Sequence, residues 1–385
     1  MASIDSCTYL SSKYKIERKI GKGTYGSVYL AKEIATDQKV AIKNSKSIFR
    51  DALLAKCMLR EISILRSLNH PNIIKIKNIV IPQACQNFNN LFVVMELAET
   101  DFRTLTRSSM TLSHEQVQSL IYQAVCGCRY MQSANVMHRD LKPANILINS
   151  NGNLKICDFG LSRTCPKPEL VNGTDKQYKR ALTWHVVSRW YRAPEVILVE
   201  KFYGKEMDVW SLGCVFAEML GMMHPGTERS ALFPGASCFP LSPDLTAPPV
   251  SGGFFVSEGD QLNKIFEIIG TPSEEDLEFV SDPKAFNYVK SFQYKPPADL
   301  SRLYPNATSE ELDLLQRFLA FSPKNRITLD EALEHPYFTS IRNPLLESKA
   351  EAQAEFVFDE NADIDMQTLR DYFKREEELY RQFNH

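Results

Sequence analysis

No stretch of this 385-residue sequence is long and apolar enough to cross a bilayer. The longest apolar stretch, near 209–223, is interrupted by Glu218 and falls short of the ~20 residues that a membrane-spanning helix needs. The first ten residues contain neither a basic segment followed by an apolar core nor a glycine suited to lipidation. We therefore expect a protein without a membrane partner, located in the cytoplasm, and the nucleus stays open as a second location.

The sequence also lacks a strong charge of either sign. Its formal net charge is -2 and its pI is about 6.4, so no basic field attracts nucleic acid. The nine cysteines lack the paired spacing of a zinc site, since Cys126 and Cys128 are separated by one residue. No internal repeat is visible, and we expect a monomer with reduced thiols that recognises its partners locally.

What the sequence does contain is a dense polar motif, HRDLKPAN, followed one short strand later by CDFG. Asp140 can accept the hydrogen bond of an incoming hydroxyl group, and Lys142 can meet a γ-phosphate. Asn145 and Asp158 offer the hard oxygen ligands that Mg²⁺ prefers. These residue types in this order are typical of phosphoryl transfer and indicate a protein kinase.

A glycine-rich segment, IGKGTYGSV, agrees with this interpretation. Gly21, Gly23 and Gly26 follow a G-x-G-x-x-G-x-V pattern between strands predicted over 14–20 and 28–33. Glycine lets the backbone close over phosphates without obstruction by a side chain. The pattern alone is weak, but a dinucleotide fingerprint requires a helix next rather than a strand, and a Walker motif requires lysine directly after the last glycine.

A lysine on the next predicted strand needs a carboxylate partner to be more than a solvated charge. Strand alternation in VAIK places Ala41 and Lys43 on one face, which we expect to meet a nucleotide. Apolar residues then recur at helical spacing, at Leu54, Met58, Ile62 and Leu65. Glu61 on that helix is the predicted partner of Lys43, and the alternative is an ordinary solvated carboxylate.

The periodicity changes from strand-like to helical near 97–111. We therefore expect an α+β, bilobal protein-kinase fold: a small β-rich N-lobe with one main helix over 14–97, and a larger helical C-lobe over 98–338. The C-lobe would contain an activation segment at 158–195 and a Pro/Ser/Gly-rich insertion at about 224–259. Residues 339–385 form an extension whose spacing of Met366, Leu369 and Phe373 predicts a helix that packs on the lobes.

A cleft between the lobes would hold ATP and Mg²⁺. Near the boundary, Ala98 offers backbone hydrogen bonds and Asp101 could reach a ribose, whereas Met95 could equally be an ordinary core residue. The residues expected to bind the nucleotide or its metal are Ile20, Gly21, Gly23, Gly26, Val28, Ala41, Lys43, Met95, Glu96, Ala98, Asp101, Asn145, Leu147 and Asp158.

The chain from about 14 to 338 resembles a eukaryotic protein kinase, and specifically a mitogen-activated protein kinase. Three features carry the resemblance: LAETD at the lobe boundary, SRWYRAPE at 188–195, and KAFNYVKSF at 284–292, which is similar to the family's insert. The resemblance implies phosphorylation of serine or threonine followed by proline. It also implies a buried ion pair between Glu195 and Arg326, and an anchoring role for Asp208 beneath the catalytic loop.

The proline preference has a physical reason. In similar kinases the backbone carbonyl at the position of Val187 turns toward the arginine at the position of Arg192. The substrate residue after the phosphorylated one then finds no acceptor for its N–H, and proline is the residue without an N–H. We accordingly expect substrates that contain Ser-Pro or Thr-Pro, with ordinary loop packing of Val187 as the alternative.

The activation segment departs from the family's Thr-x-Tyr pattern, because Thr183 is followed by Trp184 and His185. This form, together with LFPGASCFPLSPD, resembles atypical MAP kinases of apicomplexan parasites. The tyrosine whose phosphate would pair with Arg189 and Arg192 is absent, so we expect one activating phosphate, on Thr183. The arginines expected to bind that phosphate are Arg60, Arg139 and Arg163, and the alternative is an unmodified Thr183.

Two other functions stay open at this point. A cyclin-dependent-type kinase is favoured by HVV at 185–187 and predicts stimulation by a cyclin, whereas a pseudokinase scaffold predicts binding without transfer. Either an upstream kinase or the enzyme itself could modify Thr183. The family's acidic docking patch is replaced by SIRNPLLESKAE, so we expect basic docking peptides to bind weakly or elsewhere. We expect the insertion to be a solvated surface loop, with a docking site as the alternative.

Overall fold

The computed structural model describes residues 8–23, 26–82, 88–164, 188–198, 203–224, 229–238, 257–356, 358 and 362–383. The strands are β1 Tyr14–Gly23, β2 Gly26–Glu33, β3 Lys39–Ser45, β4 Ile76–Val80, β5 Leu91–Glu96, β6 Thr100–Asp101, β7 Val136–Met137, β8 Ile146–Ile148, β9 Leu154–Ile156 and β10 Arg163–Thr164. The helices are α1 Thr8–Lys13, α2 Ala52–Ser67, α3 Phe102–Thr106, α4 His114–Ser133, α5 Pro194–Ile197, α6 Glu206–Gly221, α7 Gln261–Ile269, α8 Pro283–Lys290, α9 Leu300–Leu303, α10 Ser309–Phe318, α11 Leu329–Leu333 and α12 Met366–Phe383.

The first lobe is a five-stranded antiparallel sheet in the order β1-β2-β3-β5-β4, with α2 inserted between β3 and β4. Val40 and Ile42 alternate with Ala41 and Lys43 along β3 and are completely buried, as strand periodicity predicts. Their face packs against Leu10 of α1, a helix that the sequence analysis did not predict. The sheet is therefore covered on one face, and Lys43 lies on the other.

The second lobe is mainly helical and is built around α4 and α6. Helix α4 begins at a capping box in which Ser113 and Gln116 satisfy each other's backbone N–H groups. Trp210 of α6 is completely buried and stacks on Phe233, with ring centroids 5.5 Å apart. Together the two lobes confirm the predicted α+β kinase fold. In the part of the chain that the structure describes, no helix has the length and hydropathy of a membrane span.

The C-terminal extension returns to the first lobe. Helix α12 contacts α2 and β4, and Leu369 and Phe373 are completely buried, in keeping with the predicted helical stripe. Phe373 meets the edge of the Phe49 ring, with centroids 5.7 Å apart, and Phe88 lies 5.2 Å from the same ring. The chain thus crosses between the lobes twice, once before α3 and once before α12.

Candidate active site

Lys43 and Glu61 form the ion pair that the sequence predicted. Nζ of Lys43 lies 2.7 Å from Oε2 of Glu61, and both side chains are largely buried. Helix α2 begins at Asp51, whose side chain accepts a hydrogen bond from the backbone N–H of Leu53, and this start point sets the face on which Glu61 lies. Two separate elements, β3 and α2, are therefore joined at the cleft.

The electrostatics of this pair favour a charged lysine. Burial lowers the pKa of Lys43, but the carboxylates of Glu61 and Asp158 outweigh burial, and the net pKa is raised. Burial raises the pKa of Glu61, and the ammonium group of Lys43 opposes that rise. Lys43 consequently stays protonated and can attract an anionic group in the cleft.

The catalytic loop brings Asp140, Lys142 and Asn145 together. Nζ of Lys142 lies 2.6 Å from Oδ2 of Asp140, and the amide nitrogen of Asn145 donates to the backbone oxygen of Asp140 at 2.8 Å. Oδ1 of Asp140 is buried and makes no hydrogen bond of ordinary geometry within the described residues. Burial raises the pKa of Asp140, and Lys142 opposes the rise. One carboxylate oxygen thus has room for a further donor, such as a substrate hydroxyl group.

Asp208 and His138 hold the catalytic loop in place. The carboxylate of Asp208 accepts hydrogen bonds from the backbone N–H groups of His138 and Arg139, at 2.7 and 2.8 Å. Arg139 has a positive φ of 69°, a conformation that these two bonds help to maintain. Burial lowers the pKa of His138 to about 4, so its neutral ring can accept from the backbone N–H of Asp140 while its other nitrogen donates to the carbonyl of Cys157.

The DFG residues lie between the catalytic loop and α2. Phe159 is completely buried and its ring lies 4.9 Å from that of His138. Asp158 adopts a left-handed conformation, with φ of 67°, and lies close enough to Lys43 to raise that residue's pKa. Arg60 of α2 donates to the carbonyl of Gly160 at 2.8 Å. This contact ties the start of the activation segment to the helix that carries Glu61.

The glycine-rich segment forms the end of the β1–β2 hairpin. Gly23 pairs with Gly26, so both strands extend further into the motif than the predicted ends at 20 and 28. A Cβ atom on Gly26 would lie 2.0 Å from the carbonyl oxygen of Asn44, and its φ is +156°. Gly26 is therefore required by the close approach of β2 to β3, a reason that the sequence pattern did not reveal.

The predicted adenine-binding side chains come from adjacent strands. Met95 pairs with Ala41 between β5 and β3, while Leu147 of β8 pairs with Asp101 of β6. Val28 lies opposite Lys43, and Ile20 is 39% exposed, as a residue at the mouth of a cleft can be. The backbone of residues 96–98 connects the lobes beside these side chains.

Two of the predicted binding residues have other partners in the structure. The side chain of Asp101 accepts from the backbone N–H of Thr104 and caps α3, so any contact with a ribose would share this carboxylate. The side chain of Glu96 pairs with Lys155 at 3.0 Å and accepts from the backbone N–H of Lys75. Both contacts use Oε1, so this oxygen of Glu96 is already bonded to protein partners.

The donor set of the cleft fits ATP with a divalent metal. The nitrogen of the Asn145 side chain is used within the catalytic loop, which leaves its amide oxygen as the ligand atom. Asp158 supplies a carboxylate, so both candidate ligands are oxygens. Two groups complete a site suited to a triphosphate and an incoming hydroxyl group: the Oδ1 of Asp140, which makes no hydrogen bond of ordinary geometry within the described residues, and the buried, charged Lys43.

Most of the activation segment, including Thr183, Trp184, His185 and Val187, lies outside the described residues. At its far end, Arg189 donates to the carbonyl of Gly235 at 3.1 Å, and Arg192 is buried with one nitrogen 3.3 Å from Sγ of Cys238. Both arginines thus contact the 229–238 loop. Trp190, unlike the buried Trp210, is 44% exposed and donates to the carbonyl of Gly235.

A deeper ion pair anchors the end of this segment. The guanidinium group of Arg326 makes two hydrogen bonds to the carboxylate of Glu195, at 2.7 and 3.0 Å, and both side chains are almost completely buried. This is the pair that the family resemblance implied. It fixes α5, on which the segment ends, to the body of the second lobe.

A surface pocket of about 440 Å³ lies beside the C-terminal extension. It is lined by Arg129, Asp330, Glu331, Leu333, Glu334, Arg342 and Glu347. Two of its carboxylates are paired with one arginine: Arg342 lies 2.6 Å from Glu334 and 2.7 Å from Glu347. A basic peptide that binds these two carboxylates would have to displace Arg342.

Comparison with known proteins decides the family. The protein kinase domain matches residues 14–233. The chain is 40% identical over 357 residues to mitogen-activated protein kinase 4 of Oryza sativa subsp. japonica, covering 93% of this chain and 87% of that relative. It is also 40% identical over 330 residues to mitogen-activated protein kinase mpkA of Aspergillus fumigatus, covering 85% and 70%.

The chain belongs to the mitogen-activated protein kinase family. A further relative is mitogen-activated protein kinase homolog 1 of Petunia hybrida, 41% identical over 332 residues that cover 86% of this chain and 77% of the relative. This MAP kinase is therefore an ATP-dependent serine/threonine protein kinase that uses a divalent metal. Membership favours the MAP kinase interpretation over the cyclin-dependent alternative.

Sequence reasoning missed one part of this MAP kinase's site, the support behind α2. Ser63 and Arg66 of α2 bond Glu376 of α12, and the hydroxyl group of Tyr380 donates to the carbonyl of Ile62. A signal was present: Leu369, Phe373, Glu376 and Tyr380 fall at helical spacing on one stripe. The run KREEEL concealed it, because such a run is usually a solvated face.

Proposed function

We propose that this MAP kinase transfers the γ-phosphate of Mg²⁺-ATP to serine or threonine followed by proline in protein substrates, and that phosphorylation of Thr183 activates it. The observation that carries the proposal is the geometry at Asp140. Its Oδ1 is buried without a hydrogen bond of ordinary geometry in the described chain, and its Oδ2 is held 2.6 Å from Lys142. This arrangement suits a hydroxyl group that must be oriented beside a transferring phosphate.

Each polar residue has a distinct part in this proposal. Asp140 accepts the hydrogen bond of the substrate hydroxyl, and Lys142 stabilises negative charge on the transferred group. Lys43, held by Glu61, attracts the nucleotide phosphates. Asn145 and Asp158 would hold Mg²⁺, which when bound neutralises charge on the phosphate oxygens.

The proline preference rests on Arg192. Its side chain is 6% exposed and contacts Cys238, so it forms a fixed part of the floor under the end of the activation segment. If the carbonyl of Val187 turns toward this guanidinium, the substrate N–H at the next position has no acceptor. A residue other than proline would then lose about 1–3 kcal/mol, the cost of a buried unsatisfied donor.

A matched peptide pair tests the preference. One peptide contains Ser-Pro, and the other contains Ser-Ala and is otherwise identical. We expect kcat/KM to be roughly 5- to 150-fold lower for the Ser-Ala peptide. The Asp140→Ala variant, assayed in parallel, should phosphorylate neither peptide and excludes a contaminating kinase. Equal phosphorylation of the two peptides would refute the proposed specificity.

Activation through Thr183 rests on the arginines near it in the family. Nε of Arg139 is buried and has no hydrogen-bond partner within the described ranges, so this guanidinium has a donor available for an anion. Arg163 lies on β10, which pairs with β7 directly before the catalytic loop. Arg60 is already bonded to Gly160, so it would reach a phosphate only with its remaining donors. A phosphate shared by these residues would join α2, the catalytic loop and the activation segment.

Phosphosite mapping with a matched variant tests this switch. We expect mass spectrometry of the active enzyme to find phosphate on Thr183, and Thr183→Ala to have low activity while Thr174→Ala, in the same segment, keeps full activity. Expression of Asp140→Ala alone separates the sources of the phosphate, since a modified Thr183 in that inactive variant requires another kinase. Full activity of Thr183→Ala would end the proposal.

A further inference from the structure

Arg139 of the catalytic loop is fixed at its backbone. Its N–H donates to the carboxylate of Asp208 at 2.8 Å, and its φ of 69° lies in the left-handed region. A residue other than glycine needs support from its surroundings to keep that conformation, and Asp208 supplies it from the first turn of α6. The side chain of Arg139 therefore starts from a fixed point and in a fixed direction.

Tyr203 contacts the other end of this side chain. The guanidinium carbon of Arg139 lies over the Tyr203 ring, 5.6 Å from the ring centroid, a distance at which the charge and the ring attract each other. Tyr203 and Asp208 belong to one short segment that leads into α6. This segment thus contacts both the backbone and the guanidinium group of Arg139.

The segment 203–208 is itself bonded to the end of α4. Nζ of Lys205 donates to the carbonyl of Gln132 at 2.6 Å, and the side-chain amide of Gln132 donates to the carbonyl of Lys205 at 3.0 Å. Strand β7 and then the catalytic loop follow α4 closely in the sequence. Because Tyr203 and Arg139 are both attached near this end of α4, the contact between them is held in one place.

An aromatic ring holds a guanidinium group differently from a carboxylate. A carboxylate would occupy N–H donors and offset the positive charge, whereas the face of a ring contains no strong acceptor and leaves these donors available. Arg139 shows this difference, because its Nε is buried and has no hydrogen-bond partner across the described part of the chain. A buried donor without an acceptor is unfavourable, and an anion would satisfy it.

We propose that Tyr203 is a positioning residue for the phosphate on Thr183. Its ring holds the guanidinium group of Arg139 in place before the phosphate is added, and it leaves the N–H donors to bind the phosphate oxygens. The phosphate then meets an arginine that is already ordered, so a smaller loss of side-chain entropy opposes the contact. This role rests on the proposed activation through Thr183.

Tyr203→Leu and Tyr203→Phe form a matched pair, because phenylalanine keeps the ring and leucine removes it. For the wild type and each variant, kcat is measured with phosphate on Thr183 and again after phosphatase treatment. We expect the ratio of these two values to fall roughly 2- to 30-fold in Tyr203→Leu, as the loss of a cation–π contact implies, and to stay near the wild-type ratio in Tyr203→Phe. A lower melting temperature of Tyr203→Leu with an unchanged ratio would show a purely structural role and overturn the proposal.

The rate at which the phosphatase removes the phosphate is a readout that does not depend on catalysis. We expect faster removal from Tyr203→Leu than from the wild type or Tyr203→Phe. In an Arg139→Gln background the guanidinium group is absent, so adding Tyr203→Leu should not raise this rate further. An equal increase in both backgrounds would show that Tyr203 does not act through Arg139, and it would overturn the proposal.

These measurements separate the role of Tyr203 from the proposed activation itself. A wild type with the same kcat before and after phosphatase treatment would refute activation through Thr183, and the rates of phosphate removal would then decide on Tyr203 alone. If phosphate stimulates the wild type and Tyr203→Leu equally and is removed from both at the same rate, only the role of Tyr203 is refuted. Should Tyr203→Leu fail to fold, Tyr203→Met also lacks a ring, and the same losses are expected.

Discussion

Replacing Glu195 by glutamine should destabilise the second lobe strongly. All five N–H donors of Arg326 are used: they bond both oxygens of Glu195 and the carbonyls of Ala320, Glu206 and Phe321. Glutamine keeps one acceptor but presents an amide N–H₂ to the other donor, and it leaves the buried charge of Arg326 uncompensated. Removing one partner of a buried ion pair costs about 3–5 kcal/mol.

The assay is urea unfolding followed by tryptophan fluorescence, since Trp210 lies 5.3 Å from the Arg326 guanidinium group. In a thermal unfolding experiment on a lobe of this size, the same loss of unfolding free energy would lower the melting temperature by roughly 6–20 °C. Because Glu195 lies on α5, at the end of the activation segment, KM for the protein substrate should also rise while KM for ATP changes little. Glu355→Gln, an identical change at an exposed position, is the control.

A loss of less than about 1 kcal/mol in Glu195→Gln would refute this reasoning, because it would place the variant among ordinary surface substitutions. An equal loss in Glu355→Gln would do the same. It would show that the measured effect does not depend on the buried charge of Arg326.

Three further predictions concern the active-site half of the molecule. Gly26→Ala should lower the free energy of unfolding by about 1–3 kcal/mol and raise KM for ATP, because its Cβ would meet the carbonyl of Asn44. Gly221→Ala is the control, since its Cβ meets nothing within 4 Å, and it should have neither effect. Similar effects of the two changes would contradict this cause. Burial raises the pKa of Asp208 to about 6, and hydrogen bonds from the catalytic loop oppose the rise. Because the pKa of this carboxyl group is about 3.9 in an unfolded chain, its protonation favours the folded state. Between pH 7 and 5, kcat should therefore fall with a midpoint near 6 while the circular dichroism spectrum stays unchanged. Constant activity down to pH 5 would be the contrary result. Burial raises the pKa of the Cys157 thiol well above its usual value, so iodoacetamide should label it slowly at neutral pH, and rapid labelling would show the reverse.

The residues of the cleft could be predicted because the reaction itself dictates them. A metal-bound triphosphate needs oxygen ligands and a fixed cation, and only a few residue types at a few spacings supply them. The sequence order of lysine, helix glutamate, HRD and DFG therefore indicated which groups meet, and Lys43 does meet Glu61 at 2.7 Å. The sequence analysis predicted Gly26 because a glycine lets the backbone close over phosphates. The structure shows a different reason, the nearby carbonyl of Asn44, and this contact is a tertiary feature that the sequence pattern does not contain.

The support behind the cleft could not be predicted in the same way. In the run of three glutamates at 376–378, only the fold decides which carboxylates are buried, and two of them are. Trp190 illustrates the same point for an aromatic residue, because its indole N–H donates to the carbonyl of Gly235 and its ring is partly exposed. Patterns predict which face of an element is apolar, but not which polar side chain meets a partner three hundred residues away.

The double crossing between the lobes limits how the cleft can open. Two lobes that are joined by a single crossing of the chain can rotate about that crossing. Here the returning tail is attached to the first lobe as well, because His70 bonds the carbonyl of Leu346 and Lys56 donates to the carbonyl of Ala362. An opening of the cleft about the crossing before α3 would therefore also have to move or break these tail contacts. Cleaving the tail before α12 would remove the second of these crossings, so the two lobes should then rotate further relative to each other.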